Sequence, residues 1–195
     1  MNESDLKLIK SVYANPSISN DGYRVIGDAH KRIHFKKGEI ILRNGETAKD
    51  YLLIESGILR KYVIDADGNE VTTKFHSTGD FSIVVLSFFN HLPSSENIEA
   101  ITDGSGWKIS FTVFMNLFKS VKGLGEWGRK WMSNQLFISE QRSVDILVKT
   151  ATERYLDLLS DDPDLLERIP LKYLASYLGV TDSSLSRIRK QISKI

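Results

Sequence analysis

"FKKGEIILRNGETAKDYLLIESGILRKYVIDADGNEVTTKFHSTGDF", Phe35 to Phe81, decides the architecture of this chain. Its apolar runs are brief, and glycine punctuates them at short intervals. Runs of this kind read as strands, whereas a helix would space its apolar residues by three and four. Gly38, Gly45, Gly57, Gly68 and Gly79 are expected in turns with positive φ, a region that side chains bearing a Cβ resist. The same texture runs from Ile33 to about Ser110, through "IEAITDGSGWKIS" at Ile98 to Ser110. Strands so closely spaced predict a sandwich or a barrel.

On either side the period becomes helical. Leu6, Ile9, Val12 and Tyr13 predict an amphipathic helix over Glu3 to Tyr13, which Asn15-Pro16 stops. Phe111, Phe114, Met115, Leu117 and Phe118 predict another, and a longer one follows from about Leu124 to Val148, with Gly123 and Gly125 as the break between them. That length corresponds to about 33 to 37 Å of helix, more than one face of a small domain needs. Trp127, Trp131 and Ile138 share a stripe, and Leu136, Phe137, Val144 and Leu147 add apolar surface beyond it. One stripe is expected on the β domain and the other against the same helix of a second subunit, giving a homodimer. The alternative is a single buried helix.

The C-terminal stretch "LKYLASYLGVTDSSLSRIRKQI" (Leu171 to Ile192) predicts two helices joined by a tight turn. Leu171, Leu174, Ala175 and Leu178 form one apolar stripe, and Gly179 follows where a left-handed cap is favoured. Thr181 can cap the second helix, with Val180 and Leu185 at the spacing of a hydrophobic staple. Leu185, Ile188 and Ile192 line its buried side, and Ser183, Ser186, Arg187, Lys190 and Lys194 lie opposite. Beyond Ile169 the chain carries Lys172, Arg187, Arg189, Lys190 and Lys194 against Asp182 alone, although its overall charge is only +1. Small hydroxyls at the start of a helix and cations further along suit the major groove of DNA. Arg187 can read a guanine edge and the lysines can meet phosphates. A helical hairpin with a solvated charged face has the same pattern.

Composition removes several chemistries. With no cysteine among 195 residues, disulfides, thiolate metal sites, cysteine-ligated iron-sulfur clusters and cysteine nucleophiles are excluded. His30, His34, His76 and His91 stand apart without His-x-His clustering, so neither a metal site nor haem is expected. No acid-base pair or nucleophile appears at recognisable spacing, and the chain is not expected to be an enzyme. The first residues lack a signal-peptide layout and no run approaches a membrane span, which predicts a cytoplasmic protein with no membrane partner.

The stretch Phe35 to Phe81 closely resembles the cyclic-nucleotide-binding jelly roll of the CRP/FNR family of bacterial transcription regulators. The C-terminal stretch resembles that family's winged helix-turn-helix, with the Ser186-Arg187 pair found in its FNR branch. The resemblance implies an α+β chain: a β jelly-roll sensor domain over residues 1–122, a dimerisation helix over 123–148 and a helix-turn-helix domain over 149–195. It further implies a homodimer that sets two recognition helices about one turn apart on a palindromic promoter site. On double-stranded DNA such a dimer would contact or block RNA polymerase.

The departures from the family matter as much. After "GDF", members that bind cyclic AMP carry Gly-Glu and, about ten residues on, Arg-Ser or Arg-Thr. Here those positions read Ile83-Val84 and Ser94-Ser95. Valine cannot accept a ribose hydroxyl, and serine brings no charge to a phosphate. Cyclic AMP is therefore not expected as a cofactor. Either a pocket survives for a different, less polar effector or the apolar run Ile83 to Pro93 fills it, and the apolar character favours filling. On the second helix the family often has glutamate at the position of Ser183, and its cyclic-AMP branch has arginine at that of Asp182. Arg187 is thus expected as the base reader, Ser183 and Ser186 as secondary readers, and Ser184 and Lys190 as phosphate contacts. The alternative function is a ligand-sensing β-domain whose helical tail docks on protein and binds no DNA.

Overall fold

The computed structural model of the chain describes residues 2–192. Two helices, α1 (Glu3–Val12) and α2 (Asn20–Asp28), precede eight strands. The strands are β1 (Lys31–Phe35), β2 (Ile40–Leu42), β3 (Asp50–Ser56), β4 (Leu59–Ile64), β5 (Glu70–His76), β6 (Phe81–Ser82), β7 (Asn97–Ala100) and β8 (Gly104–Ser110). They form two four-stranded sheets, ordered β1-β8-β3-β6 and β2-β7-β4-β5. A short helix, α3 (Val85–Asn90), interrupts the strands between β6 and β7. Then come α4 (Phe111–Ser120), the long α5 (Leu124–Val148), α6 (Ala151–Asp161), α7 (Pro163–Arg168), α8 (Leu171–Leu178) and α9 (Asp182–Ile192).

Short glycine-bounded runs pair as an antiparallel sandwich because each turn can reverse without strain: Gly38, Gly45, Gly57, Gly68 and Gly79 all take positive φ. In the first sheet Ile33 pairs with Gly106, and Leu53 with both Trp107 and Phe81. The α2 helix has no counterpart in the predicted elements. Its apolar residues are few and it holds Gly22 and Gly27, so the helical period is faint. The local signal it does carry is Ser19, whose side chain accepts from the Gly22 amide at 3.1 Å as an N-cap.

By backbone contacts the chain divides into two compact units, the first made of the residues up to Arg60 with Phe75–Gln135, the second of Lys61–Lys74 with Leu136–Ile195. The core of the first unit gathers Ile9 and Tyr13 of α1 and its C-cap, Leu53 and Ile54 of β3, Phe88 of α3 and Leu124 of α5. As expected from the stripe, Trp127 and Trp131 of α5 pack onto this core. Ile138 departs from it, 44 % exposed, and Leu136, Phe137, Val144 and Leu147 are exposed as well.

In the second unit, Leu174, Ala175, Leu178, Leu185 and Ile188 are buried, while Ile192 is only partly so. A capping box starts α6, Thr150 accepting from the Glu153 amide and Glu153 from that of Thr150. Ser176 of α8 links to β5: its hydroxyl donates to the Glu70 carbonyl and accepts from the Thr72 amide, both at 2.9 Å. Among the described residues no strand follows β8, so no wing accompanies α8 and α9 there. Lys194 lies outside the described residues. No helix among them is long and apolar enough to cross a membrane.

Candidate nucleic-acid interface and effector cavity

The turn between α8 and α9 is made by Gly179, at φ 68°, whose amide bonds back to the carbonyls of Ala175 and Ser176. A Cβ added there would meet nothing within 4 Å, so glycine is required by backbone conformation and not by crowding. Thr181 then caps α9. Its hydroxyl accepts from the Ser184 amide at 3.3 Å and its carbonyl from Leu185 at 3.0 Å.

The cap fixes the rotation of α9. Leu185 and Ile188 are buried, and Ser183, Arg187 and Lys190 are exposed on the other side. Ser186 is half-buried. So is Ser184, whose hydroxyl accepts from Thr181 at 3.0 Å and lies 3.5 Å from the Arg187 guanidinium. Arg189 is also exposed, and Asp182 sits in the first turn, where a carboxylate complements the helix dipole.

Two arginines hold the far end of α8, a feature that periodicity could not reveal because both partners are distant in sequence. Arg142 of α5 donates to the Tyr177 carbonyl at 3.2 Å and stacks 3.6 Å over the Tyr177 ring. Arg154 of α6 donates to the Leu178 carbonyl at 2.8 Å and to the Lys149 carbonyl at 2.6 Å. The last carbonyls of a helix lack partners within it, and cations there also suit the dipole. Burial holds the Arg142 guanidinium somewhat below its ordinary pKa. The C-terminal end of α8 is thereby tied to α5 and α6.

The positions expected to face an effector lie in the first unit. Ile83 and Val84, both buried, line a cavity of about 670 Å³ together with Leu42 and Ile98. Of the apolar run from Ile83 to Pro93, Ile83 and Val84 contribute to its lining. Phe88 packs against Tyr51, Phe111 and Phe114, with ring centroids 5.5, 5.4 and 6.1 Å away, and does not line the cavity. Ser94 is buried, but its hydroxyl is used within its own loop, donating to the Glu96 carbonyl at 2.7 Å and accepting from the Glu96 amide at 3.1 Å. Ser95 is exposed, and neither serine lines the cavity.

Charged residues at this cavity are Glu39, Glu46 and Asp50 against Lys49 and Lys108, and Lys108 is already paired with Asp50 at 2.8 Å. An anionic phosphate would meet more acid than base there. Among the described residues no three His, Cys, Asp or Glu gather into a metal-binding group. Of the four histidines, His34 and His91 are exposed, and His30 and His76 are buried.

Comparison with known proteins agrees with this architecture. Residues 32–121 match the family described as Cyclic nucleotide-binding domain. The electron transport regulator A of Shewanella oneidensis is 25% identical over 172 residues, covering 82% of this chain and 67% of that protein. FixK2 from Bradyrhizobium japonicum superposes with a TM-score of 0.70 at 22% identity, over 85% of each chain. A transcriptional regulator assigned to the crp/fnr family from Eubacterium rectale gives 0.69 at 20% identity, over 90% of this chain and 84% of that one. With the glycine-turned sandwich, the long α5 and the helices behind it, the chain shares the fold of these two structures, and residues 32–121 are similar to a cyclic nucleotide-binding domain.

Proposed function

We propose that this chain is a transcription regulator that binds double-stranded DNA sequence-specifically as a homodimer, with α8 and α9 as its helix-turn-helix. The observation that carries the reading is the exposed face of α9. Ser183, Arg187 and Lys190 stand opposite the buried Leu185 and Ile188, behind a turn fixed by Gly179 and Thr181. In the major groove, Arg187 hydrogen-bonds a guanine edge, Ser183 and Ser186 read neighbouring bases, and Lys190 and Ser184 meet phosphates. Ser184 exchanges its bond with Thr181 for the phosphate.

The exposed apolar residues of distal α5 form the seam between two copies. Phe137, Val144 and Val148, at i, i+7 and i+11, are 63 %, 49 % and 70 % exposed, and a seam removes that surface from water. The dimer places two copies of α9 on a palindrome, where it contacts or blocks RNA polymerase. Cyclic AMP is not the effector, because Val84 offers no acceptor, Ser94 has its hydroxyl engaged and the cavity beside them is rich in carboxylates.

Selection of bound sequences from random duplex DNA by the purified chain tests the reading. Enrichment of a two-fold symmetric site with half-sites about one helical turn apart is expected. Recovery of unrelated sequences in proportion to the input would overturn it.

A further inference from the structure

A second cavity, of about 540 Å³, lies where the first turns of α5 and the end of α4 meet the sandwich. It shares Tyr51 and Ile83 with the cavity at Val84 but none of that cavity's charged residues. Its walls are Tyr51, Phe81, Ile83, Phe114, Trp127 and Trp131. These rings are already in mutual contact: the Phe81 centroid is 5.4 Å from Tyr51 and 5.6 Å from both Trp127 and Trp131. The polar handles of the two innermost walls are spent elsewhere. Tyr51 bonds its hydroxyl to that of Tyr13, and Trp127 donates its indole N–H to the Val12 carbonyl at 2.9 Å. The walls formed by these two residues therefore offer ring faces only, and Ser133 and Arg129 supply polar groups elsewhere in the lining.

Size and charge narrow the occupant. A space of this volume, about 8 Å on an edge, is too narrow for a helix of about 10–12 Å diameter but takes a two- or three-ring molecule. The cation that lines it is Arg129, which is exposed and forms no hydrogen bond or ion pair among the described residues. Gly128 contributes by having no side chain: a Cβ there would lie 2.5 Å from the Phe118 ring, which packs against the helix and forms part of the lining.

We infer that this cavity binds a small organic acid with a flat apolar ring body, the rings lying against the cavity-facing sides of Phe81, Trp127 and Trp131 and the anionic end meeting Arg129. Arg129 supplies the direction of binding and the aromatic walls supply most of the affinity. That the ligand acts as an effector rests on the regulator reading above. The site does not, so it is tested by binding in the absence of DNA.

Anilinonaphthalene sulfonate is the probe, with uncharged phenylnaphthylamine as its control. Saturable binding of one probe per chain is expected, with quenching of tryptophan fluorescence, since Trp127 and Trp131 are two of the three tryptophans. Gly125→Leu narrows the mouth. A Cβ at Gly125 meets nothing nearer than an Arg129 nitrogen at 4.0 Å, so the variant keeps or raises its melting temperature while probe affinity falls about tenfold. Arg129→Ala weakens the sulfonate severalfold and leaves the uncharged analogue within about twofold. Non-saturable uptake, unchanged affinity in Gly125→Leu, or equal loss of both probes in Arg129→Ala would overturn the site. So would uptake that occurs only as light scattering reports dissociation of the chain into smaller species, which would make the cavity part of a contact between copies.

Discussion

The Nε2 atom of His30 lies 3.0 Å from the hydroxyl of Tyr13, and both side chains are buried. His30 Nδ1 is 2.7 Å from the Ile26 carbonyl, which can only accept, so Nδ1 carries the proton and Nε2 accepts from Tyr13. Tyr13 in turn accepts from Tyr51, and the chain of bonds runs in one direction from β3 through α1 to α2. Burial lowers the His30 pKa from 6.5 to about 4, the bond to Ile26 opposing it only in part, and it raises both tyrosines.

Stability should therefore fall in mild acid. The unfolded chain protonates His30 near pH 6.5 and the folded chain only near 4, so the contribution is complete above 6.5 and is lost as pH falls toward 4. The loss is on the order of 3 kcal/mol, at about 1.4 kcal/mol per pKa unit. Urea melts between pH 7.5 and 5 check it, and His30→Gln should flatten this part of the profile. A wild-type midpoint that does not move over that interval would show that His30 is not held neutral.

Arg187→Ala should reduce affinity for the selected DNA site by about 1–3 kcal/mol and relax the preference at one base pair of each half-site. Lys190→Ala should weaken selected and unrelated duplexes alike and lower the salt slope by about one. Fluorescence anisotropy against both duplexes over a salt series separates the two effects. Equal loss on both duplexes for Arg187→Ala would move that residue from the bases to the backbone.

A charge on distal α5 should separate the subunits. Phe137→Glu replaces a ring 63 % exposed in the single chain, so its fold within one copy is preserved while the seam acquires two facing carboxylates. Light scattering should report half the wild-type mass, with helical content unchanged by circular dichroism. An unchanged mass would place the dimer contact elsewhere.

Calorimetric titration with cyclic AMP should give no saturable heat. Binding would have to desolvate a phosphate beside Glu39, Glu46 and Asp50 with no arginine in the lining. A micromolar isotherm would show that another cation takes its place.

The particular features legible in the sequence are those that depend on a few consecutive residues. The five turn glycines, the extent of α5 and the Gly179-Thr181 turn follow from backbone sterics, helical period and local capping, each of which acts within a turn or two of chain. The identities of Val84 and Ser94 likewise were enough to form the expectation that cyclic AMP does not bind, since valine cannot accept a ribose hydroxyl and serine brings no charge to a phosphate. Other features depended on residues far apart in sequence. Tyr13, His30 and Tyr51 meet in one hydrogen-bond chain, Arg142 and Arg154 reach the end of α8, and Phe81 packs edge-to-face against Trp127 and Trp131 beside a cavity. Period and turn chemistry say which face of an element is apolar. Only the packed structure decides which apolar faces close on one another and which leave a cavity, because that is set by side-chain volumes contributed from several elements at once.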